Sequence, residues 1–192
     1  MWIIISTLFI VLVFIVFMSL RFSDIETPKY KLLSTIGKVE IREYPKMITA
    51  TTKLSSAQYD EDGSNGFRTV ANYIFGGNSS NKKIAMTAPV IMNMGDSSTL
   101  SFVMPSEYEL KDLPAPNTSN VTIKTESVKI LAALQYGGYS SDSKIQKYAS
   151  ELRSILAANK VQIIGPLLYM GYNAPWDVIN RRNEVAFEIS WE

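Results

Sequence analysis

A strand–strand–helix–strand–strand pattern is written twice along residues 38–191, and it limits this chain to few architectures. In the first copy, residues 38–42 alternate in polarity as a half-buried strand does, and Pro45 ends the run. Ile48, Ala50, Thr52 and Leu54 then share one face of a second strand. Residues 59–66 (YDEDGSNG) read as a solvated loop by composition. The period then changes. Phe67, Val70, Ala71 and Ile74 fall at i, i+3, i+4 and i+7, behind the cap-forming Ser64 and Asn65, and Gly76 and Gly77 stop them; this predicts a helix over residues 67–75. Strands over residues 84–93, where Pro89 marks an edge or a bulge, and 99–104 complete the unit.

The second copy follows a polar connector punctuated by Pro105, Pro114 and Pro116. It predicts strands over residues 121–123 and 128–136, then a helix. Asp142 is the cap, and Ile145, Tyr148, Ala149, Leu152, Ile155 and Leu156 form its stripe. Strands over residues 161–172 and 185–191 close it, the last with Val185, Phe187, Ile189 and Trp191 on one face. A doubled ββαββ unit with helices against antiparallel sheet is an α+β fold, expected as a curved or barrel-like body with a helix on each side.

Residues 2–20 contain no charged side chain, and their only polar members are Ser6, Thr7 and Ser19. A bilayer core about 30 Å thick needs about 20 apolar residues as a helix, so this run is long enough to span. It lacks the basic start and small-residue cleavage site of a secretory signal. The expected organisation is a single-pass membrane anchor over residues 1–21, a linker over 22–29 and one domain over 30–192. Arg21, Lys29 and Lys31 all follow the apolar run and no Lys or Arg precedes it, which favours a domain facing the cytosol.

The composition removes much of enzyme chemistry. The chain has neither Cys nor His, so thiol nucleophiles, zinc-thiolate sites, Ser-His-Asp catalysis and ordinary His-ligated haem are excluded. No nucleophile–base pair stands out, leaving Ser–Lys or carboxylate chemistry as the only enzymatic route; no catalytic residue and no metal site is expected. The Asp60–Glu61–Asp62–Gly63 run lacks the later ligands of a calcium loop. A net charge of +1 gives no basic stripe for nucleic acid, and no nucleic-acid partner is expected.

Seven segments arrive in a telling order: ETPKY (residues 26–30), IREY (41–44), YIFGGN (73–78), KIAMTAPV (83–90), FVMPS (102–106), GYN (171–173) and RRNEV (181–185). Together they resemble the SOUL haem-binding protein family over essentially the whole span from Glu26 to Trp191. The resemblance implies a distorted β-barrel of two ββαββ repeats with two flanking helices. It also implies haem or another tetrapyrrole as ligand, since some members bind these, and no accepted catalytic reaction. The same fold resembles bacterial effector-binding domains of the gyrase-inhibitor-like type, which take apolar small molecules.

A tetrapyrrole site needs an apolar face for the macrocycle and cations for its propionates. Phe67, Val70, Ala71 and Ile74 supply such a face with Arg68 beside them, and the resemblance places this helix along the haem groove. Met86 is a candidate to touch the ring, and Arg181 to clamp a propionate through its bidentate fork. Each has a structural alternative: the stripe as core, Arg68 as a solvated charge, Met86 as strand filler, and the Arg181–Arg182 pair as partners of Glu184 or Glu43. With no His available, an iron ligand would have to be Tyr, Met or Lys, and no spacing singles one out. Binding does not require that bond. About forty ligand heavy atoms at roughly 0.3 kcal/mol each give about 12 kcal/mol, near nanomolar affinity. The expected function is a membrane-anchored, non-enzymatic tetrapyrrole binder acting in carriage, buffering or sensing. The alternatives are a binder of another apolar ligand or lipid, and an interaction module without a small ligand.

Overall fold

The computed structural model describes residues 25–174, 177 and 180–191. The expected anchor, residues 1–21, lies outside them, as does linker residue 22–24; among the described residues no helix is long and apolar enough to cross a membrane. The elements run β1 (Lys31–Ile36), β2 (Val39–Tyr44), β3 (Met47–Lys53), α1 (Tyr59–Ile74), β4 (Val90–Asn93), β5 (Thr99–Val103), a 3-10 turn (Leu110–Asp112), β6 (Val121–Glu126), β7 (Lys129–Gly137), α2 (Asp142–Ala158), β8 (Ile163–Gly171) and β9 (Arg182–Ile189).

All nine strands form one antiparallel sheet in the order β1-β2-β7-β9-β8-β4-β5-β3-β6. Without β1 the order is symmetric about the β8–β4 junction, and each repeat lends its first strand to the other. Strand β2 pairs with β7, Ile41 opposite Ala132, while β6 pairs with β3, Ile123 opposite Ala50. Both helices cover one face. Helix α2 packs Ile145, Ala149, Leu152 and Leu156 onto Val39, Ile41, Ala132, Leu134, Val185 and Phe187. Helix α1 packs Val70, Ala71 and Ile74 onto Ala50, Leu100, Phe102 and Val121. The period-2 alternation sends Tyr44, Leu131, Ala133, Met170 and Ala186 to the opposite, helix-free face, where they form a third cluster.

The α+β class and the doubled ββαββ unit are as expected, but the barrel is not closed. Strands β1 and β6 are the two edges of an open sheet. The exchange of first strands puts β2 and β6 at opposite ends, β1 adds outside β2, and Lys124 and Glu126 on β6 pair with each other rather than presenting an apolar edge. Strand β1 itself has no sequence signal, because a register shift between Leu32 and Ser34 breaks its alternation and leaves Leu32 exposed.

Residues 59–66 are not a loop but the first half of α1. Asp60, Glu61 and Asp62 sit in its first turn, where acidic groups complement the helix dipole. Gly66 serves packing rather than a turn: a Cβ there would lie 2.5 Å from Leu54 Cδ2 and 3.1 Å from Leu100 Cβ. Ser64 and Asn65 are therefore helix interior. The caps are exchanged too. Asp142 accepts hydrogen bonds from the backbone N–H groups of Tyr59 (2.7 Å) and Asp60 (3.0 Å) in α1, and Asp60 accepts one from the N–H of Asp142 (3.1 Å), while Ser141 is the N-cap of α2. The expected strand over residues 84–93 begins only at Val90, after Pro89, which has no N–H to give to a ladder.

Candidate functional site

The expected apolar residues are gathered in one place. Phe67, Val70, Ala71, Ile74 and Met86 all belong to the core beneath α1. Val70 and Ile74 are 0% exposed, so neither touches a surface ligand as folded; Phe67, packed against Phe102, and Met86 are half-buried. Arg68 is exposed on α1. Arg181 lies apart from them. Its Nη1 donates to the carbonyls of Ala174 (2.9 Å) and Asp177 (2.6 Å), and its guanidinium stacks 4.5 Å over the ring of Tyr139.

The neighbouring Arg182 takes the structural role foreseen for the RRNEV segment. Glu184 is fully buried, and its carboxylate is surrounded by donors. Arg42 grips it with both Nη atoms (2.7 and 3.0 Å), Arg182 reaches it with Nε and Nη2 (3.1 and 2.7 Å), and the Tyr172 hydroxyl donates at 2.8 Å. Arg42 also donates to Glu40 Oε2 (2.8 Å) and the Tyr44 hydroxyl (3.3 Å). Burial alone would raise the Glu184 pKa, but the hydrogen bonds and charges of Arg42 and Arg182 hold it below the ordinary carboxylate value. Burial, reinforced by the Glu184 charge, pushes the Tyr172 phenol up. The IREY and RRNEV segments thus join in one ionic network on the helix-free face. Asn78 of YIFGGN is also structural: it is buried, donating to the carbonyls of Tyr73 and Lys82 and accepting from the N–H of Lys82.

Among the described residues, two concavities stand out as open to a ligand. On the helix-free face, Ile91, Leu131, Leu168 and Met170 line a cavity of about 110 Å³ with Thr49, Ser101 and the Lys124–Glu126–Lys129 ion cluster. A groove of about 530 Å³ lies between residues 26–29, residues 45–48, Thr87 and the segment from Val103 to Tyr108. Small-molecule sites span about 300–1,000 Å³, so the groove has the size of a ligand site and the cavity does not. Pro28, Pro45, Met47, Ile48, Met104 and Pro105 give the groove apolar walls, and Lys29 and Lys46 are exposed cations along it. Ile48, Met104 and Tyr108 also belong to the core beneath α1, so the groove and the predicted stripe share one apolar body.

The groove is held open by backbone chemistry. The Glu26 carbonyl accepts from the N–H of Ala88 (2.9 Å), its Oε1 accepts from the N–H of Ser106 (2.9 Å), and the Thr87 hydroxyl donates to the Val103 carbonyl (2.6 Å). Three segments distant in sequence, ETPKY, KIAMTAPV and FVMPS, therefore converge here. Lys29, Lys46, Met47, Ile48, Met104 and Tyr108 were not legible as site residues. The segments that carry some of them stood out, but nothing local says that those segments meet.

The model of the family described as SOUL heme-binding protein matches residues 25–188. Heme-binding protein 2 of Homo sapiens is 32% identical over 174 residues, covering 84% of each chain. Heme-binding protein 1 of Sus scrofa is 24% identical over 176 residues, covering 85% of this chain and 93% of the relative. Among solved structures, the EcmrR C-terminal domain superposes with a TM-score of 0.62 at 10% identity, covering 85% of this chain and 99% of that one. A hydrolase from Listeria innocua gives 0.56 at 12% identity, covering 82% and 94%. At such identities the solved structures share the fold alone.

Proposed function

The chain belongs to the SOUL heme-binding protein family, and from that premise we propose that it binds haem or a related tetrapyrrole in the groove beside Met47 and Tyr108. One observation carries the reading: a ligand-sized groove that combines apolar walls with two exposed lysines. The macrocycle lies against Met47, Ile48 and Pro105, and its propionates face Lys29 and Lys46. The residues foreseen on α1 act from behind: Val70, Ala71 and Ile74, with Phe67 and Met86 at their margin, hold Ile48, Met104 and Tyr108 in place. Arg68 and Arg181 make no ligand contact in this reading, Arg181 serving to fasten the turn before β9.

The donor set fits a tetrapyrrole without His. Apolar contact supplies the affinity, lysines orient the propionates, and iron when present supplies only redox and coordination chemistry to a protein that itself catalyses nothing. Residues 2–20 anchor the domain to a bilayer in single-pass fashion, with the domain in the cytosol, for carriage, buffering or sensing of the ligand. A second reading, another apolar ligand or lipid in the same groove, draws support from the apolar walls of Pro28, Met47, Ile48 and Pro105.

Titration of the full chain in detergent with metal-free protoporphyrin IX, followed by its fluorescence, tests the seat. Reversing both Lys29 and Lys46 to Glu removes two attractions and adds two repulsions. At about 0.5 kcal/mol each for exposed charges, affinity falls roughly thirtyfold. No uptake by the wild-type chain at micromolar protoporphyrin would overturn the reading.

A further inference from the structure

Tyr108 is where the haem reading acquires a metal ligand. The inference rests on the groove as the tetrapyrrole seat and concerns what the iron would meet there. With neither His nor Cys in the chain, the groove wall offers few donors: Glu26, Lys29, Lys46, Met47, Met104, Tyr108 and the hydroxyls of Thr27, Thr87 and Ser106. Several are committed. The Thr87 hydroxyl donates to the Val103 carbonyl, and one Glu26 carboxylate oxygen is taken by the N–H of Ser106. The Met104 side chain is buried at 4% exposure. Lys29 and Lys46 are the cations that the propionates face, and an ammonium group is a donor only. Met47, Tyr108, the aliphatic hydroxyls of Thr27 and Ser106 and the second oxygen of the Glu26 carboxylate, which the Ser106 N–H already fixes in place, remain; an aliphatic hydroxyl gives up its proton far less readily than a phenol.

Ferric iron is a hard acceptor, and a phenolate oxygen suits it where a thioether does not; tyrosine is an established protein ligand to haem iron, as in catalase. The Tyr108 side chain is half-buried, packed against the core beneath α1, and set on the turn that its own N–H closes to the Pro105 carbonyl (3.1 Å). Its hydroxyl has no hydrogen-bond partner among the described residues, whereas that of Tyr44, which lines the smaller cavity, accepts from Arg42. Lys82 Nζ lies 4.4 Å from the centroid of the Tyr108 ring, so negative charge on the phenol oxygen has a cation at hand. We infer that Tyr108 ligates ferric haem iron through its phenol oxygen, making the groove selective for iron-bearing over metal-free tetrapyrrole. In that step the phenol O–H bond breaks, an iron–oxygen bond forms, one proton passes to water, and the iron stays ferric.

The test uses the full chain in detergent, with hemin and metal-free protoporphyrin IX as probes. Tyr108→Phe keeps the ring and removes a hydroxyl that bonds to nothing, so the variant folds. Wild-type chain with hemin should show phenolate–iron bands in resonance Raman. Tyr108→Phe should erase them and weaken hemin about tenfold or more, leaving protoporphyrin affinity unchanged. Tyr139→Phe, at an exposed tyrosine beside Arg181, should keep the bands. Bands that persist in Tyr108→Phe, or vanish in Tyr139→Phe, overturn the assignment. If the wild-type chain refuses protoporphyrin yet binds hemin with Tyr108-dependent bands, the apolar seat is refuted and the ligand assignment upheld.

Discussion

Replacing Glu184 by Gln probes the network that joins β2 to β9. Five donors converge on this carboxylate: Nη1 and Nη2 of Arg42, Nε and Nη2 of Arg182, and the Tyr172 hydroxyl. Either orientation of a glutamine amide points its NH₂ group at guanidinium donors, so the substitution removes a charge and adds a donor clash. Arg42 is only 2% exposed and, among the described residues, would keep Glu40 as its one ion-pair partner. Breaking a buried ion pair from one side costs about 3–5 kcal/mol. For a domain of this size each kcal/mol moves the midpoint by roughly 2–4 °C, which gives a fall of roughly 6–20 °C in thermal unfolding followed by circular dichroism. The pH arm has a definite sign. Because the folded-state pKa of Glu184 lies below its ordinary 4.5, its contribution is complete above that value and is lost as pH falls through the depressed one. Wild type should therefore lose stability on acidification below about pH 4.5 more steeply than the glutamine variant. A variant within about 1 kcal/mol of wild type at neutral pH, with the same acid slope, would refute the account of Glu184 as a buried, ionised hub.

Two further outcomes follow from other contacts. Asp142→Ala removes the acceptor for two α1 N–H groups without touching the Ser141 cap of α2, and should cost about 1–2 kcal/mol in chemical unfolding; a neutral result would mean that α1 does not depend on this cross-cap. Arg68→Glu, on the exposed side of α1, should leave protoporphyrin affinity within about twofold of wild type. A loss matching that of the lysine reversals would move the ligand from the groove to the outer face of α1.

What sequence periodicity reveals here is the facing of each strand and the stripe of α2, because alternation and the i, i+3, i+4 rule are local. The α1 stripe was legible for the same reason, and in the folded chain Val70, Ala71 and Ile74 are buried core. The first half of α1 was not legible. Its helical state depends on Asp142, 82 residues away from Asp60, and on a glycine that packs rather than turns. Strand β1 escaped because its register shift erases the alternation. The open sheet escaped because repeat counting cannot say which strand pairs with which. The groove is the clearest case: Glu26 is stitched to Ala88 through its carbonyl and to Ser106 through its carboxylate, two contacts that no local pattern encodes.

The exchange of β2 and β6 bears on how the polypeptide can be made. As the first repeat leaves the ribosome, β3 has β5 on one side and a vacant seat on the other, which only residues 121–126 fill. Strand β2, meanwhile, waits for a partner at residues 129–137. Neither half is a self-sufficient folding unit, so cooperative closure must await synthesis of both. Severing the connector would leave two fragments that need each other, each carrying the missing piece of its twin.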